Sequence, residues 1–148
     1  MEPFLIKRFG QEVYFATAMG SVFNFNDKVY LDFFQQFLKS NKINEINIVV
    51  ETSCRFLNSI LNKEGKINCA VEEVIQSLFL HNAREIEQEV TLQAKQTYLA
   101  KLLIKDQIKE LEKIELFSTL AQQKALSLKG LVTSISDKRI NEVKIHND

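Results

Sequence analysis

The stretch with the densest supply of reactive groups is Glu51-Thr52-Ser53-Cys54-Arg55, which sets a carboxylate, hydroxyls, a thiol and a guanidinium side by side. A thiol near a carboxylate suits metal binding or nucleophilic attack, and a cysteine at a helix start is of the kind that can turn reactive. Hydroxyls and an arginine at a helix N-terminus suit a small anion, which makes Thr52, Ser53 and Arg55 candidate anion-binding residues. The plainer reading makes Cys54 an inert, partly buried residue. It makes Glu51 a partner for the positive end of the helix that follows. Cys69 precedes a helix and receives no role. His81 falls in a polar helix break and His146 in the tail. Neither has a second histidine or carboxylate at metal-binding spacing, so both read as solvated.

The elements that must carry this turn are legible around it. Ile46-Asn47-Ile48-Val49-Val50 is the apolar run of a buried parallel strand, which delivers the turn to the mouth of an α/β sheet. Before it, Val29, Tyr30, Phe33, Phe34, Phe37 and Leu38 recur at helical spacing after a cap at Asn26 or Asp27. This stripe is expected to face the core, although Tyr30, Phe33, Phe34 and Phe37 would also suit a partner helix. Glu12–Ala18 reads as a strand, so residues 12–50 form a strand–helix–strand crossover. Phe4–Phe9 reads as a strand that pairs with it through a turn at Gly10-Gln11. After Cys54 a short helix carries Phe56, Leu57, Ile60 and Leu61, and Asn62-Lys63-Glu64-Gly65-Lys66 turns the chain. Residues 70–116 read as mostly helical with a break near His81-Asn82, and residues 117–125 as another short helix. Leu126–Val132 reads as a strand, Ser136–Arg139 as a turn, and Ile140, Val143 and Ile145 as an antiparallel edge strand.

Composition narrows the class. The 148 residues suit one domain with a real core. Lys+Arg and Asp+Glu both number 19, so no basic excess points to nucleic acid, and near-zero charge makes self-association easy. No apolar run approaches the roughly 20 residues that span a bilayer, and the N-terminus is too short and too charged for a signal peptide. Two cysteines make no disulfide framework. The expectation is a soluble, reduced, cytoplasmic protein.

In chain order these segments resemble a β-class carbonic anhydrase over roughly residues 10–145. Thr17-Ala18-Met19-Gly20-Ser21 resembles the family's Arg-Asn-Ala-Gly-Asn. Val50-Glu51-Thr52-Ser53-Cys54-Arg55 stands where the family has Gly-His-x-x-Cys-Gly. Glu89-Val90-Thr91-Leu92-Gln93 resembles Asn-Val-x-x-Gln, and Leu126-Ser127-Leu128-Lys129-Gly130 resembles Leu-x-Leu-His-Gly. The resemblance implies an α/β fold of one domain over residues 1–148. Its sheet is short and mostly parallel, with a C-terminal antiparallel edge strand and flanking helices. The resemblance also implies a homodimer.

The family holds zinc through the cysteine of an N-terminal Cys-x-Asp-Ser-Arg strand and the histidine and cysteine of the turn. Here that strand is missing, Glu51 stands in place of the histidine, and Cys54 alone is retained. A catalytic zinc needs three protein ligands and an open position. The expectation is a non-catalytic member with no metal and no other cofactor, no nucleic-acid partner and no membrane, acting by binding in a regulatory or scaffold role. The alternatives are a zinc-dependent or Cys54-dependent enzyme with a rebuilt site, and a small-anion sensor. The family's missing strand lies mid-sheet, so its loss leaves a gap of about 4.8 Å, one strand spacing. That gap would be filled by Phe4–Phe9, closed by neighbouring strands, or filled by a second copy.

Overall fold

The computed structural model describes residues 1–64, 68–123 and 125–145, so His146 and the Gly65-Lys66 end of the expected turn lie outside the described residues. In chain order the elements are α1 (Glu2–Phe9), a 3-10 turn (Met19–Ser21), α2 (Lys28–Ser40), β1 (Glu45–Glu51), α3 (Arg55–Leu61), α4 (Ala70–His81), α5 (Ala83–Gln88), α6 (Leu92–Glu112), α7 (Glu115–Gln122), β2 (Ser127–Ser134) and β3 (Arg139–Val143). The sheet runs β1-β2-β3, with β1 parallel to β2 and β2 antiparallel to β3. This is the expected α/β arrangement, with a parallel pair closed by an antiparallel edge strand.

Local chemistry sets the element ends. Asp27 caps α2 by accepting from the Tyr30 N–H at 3.1 Å, and Thr91 caps α6 by accepting from Ala94 N–H at 3.1 Å. Each cap satisfies one of the helix's free amides. Asn82 separates α4 from α5, its side-chain amide donating to the Leu78 carbonyl at 2.9 Å. The Thr91 cap starts a further helix inside what reads as one helical stretch from the sequence.

The main core lies between the sheet and α6. Leu99, Leu103, Ile104 and Ile108 pack on Ile48 and Val50 of β1, on Val132 of β2 and on Val143 of β3, with α3, α4 and α5 closing the sides. Gly130 is required here, because a Cβ at that position would lie 2.2 Å from Ile104 Cγ2. Without it α6 could not approach β2 so closely. A smaller cluster of Leu38, Leu111, Phe117 and Leu126 joins α2 to the far ends of α6 and α7.

Several expectations about the first third of the chain are corrected. Phe4–Phe9 is helical and pairs with no strand. Pro3 in the first turn, Glu2 at its start, Lys7 and Arg8 in its last turn and Gly10 beyond its end all favour a short helix. Residues 12–18 form no strand, so β1 has no crossover partner before it. The α2 stripe also divides. Leu38 is 6% exposed and Phe34 packs in a tilted pair with Phe117, ring centroids 5.9 Å apart, whereas Val29 and Phe33 are 81% and 67% exposed.

Among the described residues the sheet has no gap between strands, and β1 is its edge strand. Thr52 N–H donates to the Thr133 carbonyl at 2.9 Å, and Glu51 is paired with Thr133. Even-numbered residues of β1 therefore turn their backbone groups toward β2, and odd-numbered ones turn away. On that outer side the Ser21 hydroxyl donates to the Val49 carbonyl at 2.9 Å. A trough of about 1210 Å³ runs along this edge, walled by α1, residues 11–18 and α2.

Candidate functional site

The β1–α3 turn holds the residues singled out from sequence. β1 ends at Glu51, Cys54 occupies the cap position and α3 starts at Arg55. The turn closes through Cys54 N–H donating to the Glu51 carbonyl at 3.0 Å, and Asn58 N–H donates to the Cys54 carbonyl at 3.1 Å. The Cys54 side chain makes no capping bond and its thiol is free and half-buried against the main core.

Glu51 is the hub of this turn. It is 9% exposed. Its Oε2 accepts from the Thr133 hydroxyl at 2.7 Å, and its Oε1 accepts from Ile135 N–H at 3.2 Å and from the Ser53 hydroxyl at 3.3 Å, with Ser53 N–H at 3.5 Å. The carboxylate thus ties the end of β1 to its own turn and to the residue that leaves β2. Its bonds go to Thr133, Ile135 and Ser53, the last standing just before the Cys54 cap position of α3. Thr133 and Ile135 were not legible as its partners, because only the β1–β2 register brings them there. A buried carboxylate needs such donors, so a glutamate ending a buried strand is itself a signal that they exist.

The candidate anion groups divide. Ser53 directs both of its donors at Glu51. Thr52 is buried with its N–H given to Thr133, and Arg55 is exposed at the surface. Cys69 precedes α4 at the cap position without a side-chain capping bond. His81 sits exposed in the last turn of α4, where its Nδ1–H donates to the Ser77 carbonyl at 2.7 Å.

Among the described residues no three His, Cys, Asp or Glu side chains converge as metal ligands do. A zinc ion does not fit the turn as built. Both Glu51 oxygens are engaged by protein donors. That leaves the Cys54 thiol, where three protein ligands are needed.

The fold has clear counterparts among solved β-carbonic anhydrases. The tetrameric β-carbonic anhydrases of Sordaria macrospora include a chain matching with a TM-score of 0.71 at 16% identity, over 84% of this chain and 64% of that one. The β-carbonic anhydrase CafA of Aspergillus fumigatus matches with a TM-score of 0.74 at 15% identity, over 88% and 62%. The β-carbonic anhydrase CcaA matches with a TM-score of 0.68 at 17% identity, over 97% and 77%. Identity this low establishes the fold alone. The chain spans less than two thirds of the length of the first two. No family model matches the sequence, and no curated protein matches it significantly.

Proposed function

We propose that this chain is a carbonic anhydrase-like protein that does not hydrate carbon dioxide and acts by binding, in a regulatory or scaffold role. The observation that carries this is the state of Glu51. The resemblance sets this residue where a zinc-ligand histidine belongs, and its carboxylate is buried and bonded to Thr133, Ser53 and Ile135. A group so held is a clasp between strand ends. Freeing it for a metal would leave the buried Thr133 hydroxyl without its acceptor, at about 1–3 kcal/mol.

The same reading makes the protein a homodimer. The Sordaria macrospora proteins it resembles are tetrameric. The exposed Val29 and Phe33 on α2, with Phe9, Tyr14 and Phe15 nearby in chain order, supply apolar surface of the kind that marks interfaces. The zero formal charge offers little repulsion between copies.

The test is a stopped-flow carbon dioxide hydration assay on the full chain, with and without added zinc. The expected rate is that of the buffer alone under both conditions. Zinc-dependent acceleration that disappears in Cys54→Ser would overturn the proposal.

A further inference from the structure

We infer that a second copy of this chain seats in the trough along β1, where its residues 12–18 add a strand to the open edge. The inference rests on the homodimer reading above and names the surface and the segment that build the dimer.

The edge of β1 is a template for a strand. Its outward backbone groups belong to the odd-numbered residues, and the Val49 carbonyl is taken by the Ser21 hydroxyl. The N–H groups of Asn47 and Val49 and the Asn47 carbonyl have no partner among the described residues. The strand is Glu-Ile-Asn-Ile-Val-Val-Glu, with no proline or lysine to blunt it. An exposed row of this kind recruits another strand through main-chain hydrogen bonds.

The trough has the size of one strand. β1 has seven residues. A strand of that length fills about 1100 Å³, from a rise of about 3.3 Å per residue, a strand spacing of about 4.8 Å and a layer about 10 Å thick. The trough measures about 1210 Å³.

The chain itself supplies the occupant. Val13-Tyr14-Phe15-Ala16 is rich in strand-forming residues and joins no helix or strand. It lines the trough on the side away from β1. The Tyr14 ring packs edge-on to Phe37 near the end of α2, with centroids 5.1 Å apart, and Ser21 is tied to Val49, so the segment runs along the trough. One two-fold rotation lays each copy's segment between the other copy's β1 and residues 12–18. Both troughs then fill at once, and the contact closes as a dimer.

The apolar surface is of the size a dimer needs. Phe9, Tyr14, Phe15 and Phe33 line the trough and are 41%, 59%, 39% and 67% exposed. A fully buried aromatic covers about 150–250 Å², so these four offer about 300–500 Å² on each copy. That is about half of the roughly 800 Å² per partner of a standard interface, before the paired strand edge is counted.

The test is sedimentation velocity across a dilution series, joined to amide hydrogen exchange read by NMR. The proteins compared are the wild type, Ala16→Pro, Phe33→Asp and, as a control, Val90→Ser on the far side of the chain's fold from β1's edge. All three positions are exposed. A circular dichroism spectrum of each checks that folding is retained. In the dimer residues 12–18 are paired on both sides, where proline is not tolerated. The expected result is a wild-type dimer, with dissociation constants raised at least tenfold by Ala16→Pro and by Phe33→Asp and unchanged by Val90→Ser. The Asn47 and Val49 amides should exchange slowly in the dimer and fast in the monomer. A dimer unaffected by Ala16→Pro and Phe33→Asp, or one whose Asn47 and Val49 amides exchange freely, would overturn this inference and leave the homodimer reading standing. A wild-type monomer at every concentration would overturn both.

Discussion

The Thr133 hydroxyl donates to Glu51 Oε2 at 2.7 Å, across the paired ends of β1 and β2, and both side chains are buried. Thr133→Val keeps the shape and removes the donor. It leaves a buried carboxylate oxygen unsatisfied, and the expected loss is about 1–3 kcal/mol in urea unfolding. Adding Glu51→Leu to Thr133→Val should cost less than the two single losses summed, because the residues act as one unit. Full additivity would mean that the clasp does not hold in solution.

Gly130 and Ile104 fix how closely α6 lies on the sheet. An alanine Cβ at 130 would lie 2.2 Å from Ile104 Cγ2 and 3.3 Å from Val143 Cβ. Gly130→Ala is expected to lower stability by about 1–3 kcal/mol through overpacking. Ile104→Ala in the same chain should recover part of that loss, whereas in the wild type it should cost about 2–5 kcal/mol as a cavity. Calorimetric melts of the three variants test this, and an unchanged melting temperature for Gly130→Ala would contradict the packing described.

The Glu45–Lys129 pair, 2.6 Å apart, links β1 to β2 at the surface. The Lys129 hydrogen bond, helped by Asn47, holds the Glu45 carboxyl below its ordinary value of 4.5. A lowered carboxyl pKa contributes stability that is fully present above that ordinary value and is lost as pH falls through the lowered one. The Glu45 carboxylate in turn raises Lys129 above its ordinary 10.5, so the lysine's part is present below 10.5 and is lost as pH rises through the raised value. Both groups are largely solvent-screened, so the effect is small. Lys129→Met should lower the melting temperature slightly between pH 4.5 and pH 10.5, with the difference from wild type shrinking as pH falls below that window or rises above it. A profile identical to wild type would show that the pair contributes nothing.

Asn47 faces the open edge of β1 with its Nδ2 donating to Glu45 at 2.9 Å and its Oδ1 buried without a partner among the described residues. Asn47→Val removes that unsatisfied oxygen and introduces a better strand former. The expected change is a gain of about 1 kcal/mol in urea unfolding. A loss of stability would mean that Oδ1 has a partner in solution.

Elements with a long period and a clear end were legible in the sequence. The span of α2, the Ile46–Val50 run and the closing hairpin stand as expected within a residue or two. The first residues were not. Phe4–Phe9 is too short for periodicity to separate strand from helix, and its end signals decide for helix. Val13-Tyr14-Phe15-Ala16 has strand-forming residues but no paired neighbour, and a strand needs a partner to exist. At the turn, Cys54 and Glu51 were recognisable as groups able to do chemistry. What Glu51 does depends on Thr133 and Ile135, more than 80 residues away in sequence, which are joined to it only by the strand register.

The central claim is that the β1–α3 turn is a clasp and not a metal site. Zinc content per chain, measured by elemental analysis on protein purified without a metal-affinity tag, tests it most directly. Zinc far below one per chain is expected in the wild type, with no change in Cys54→Ser. Close to one zinc per chain, lost in Cys54→Ser, would contradict it.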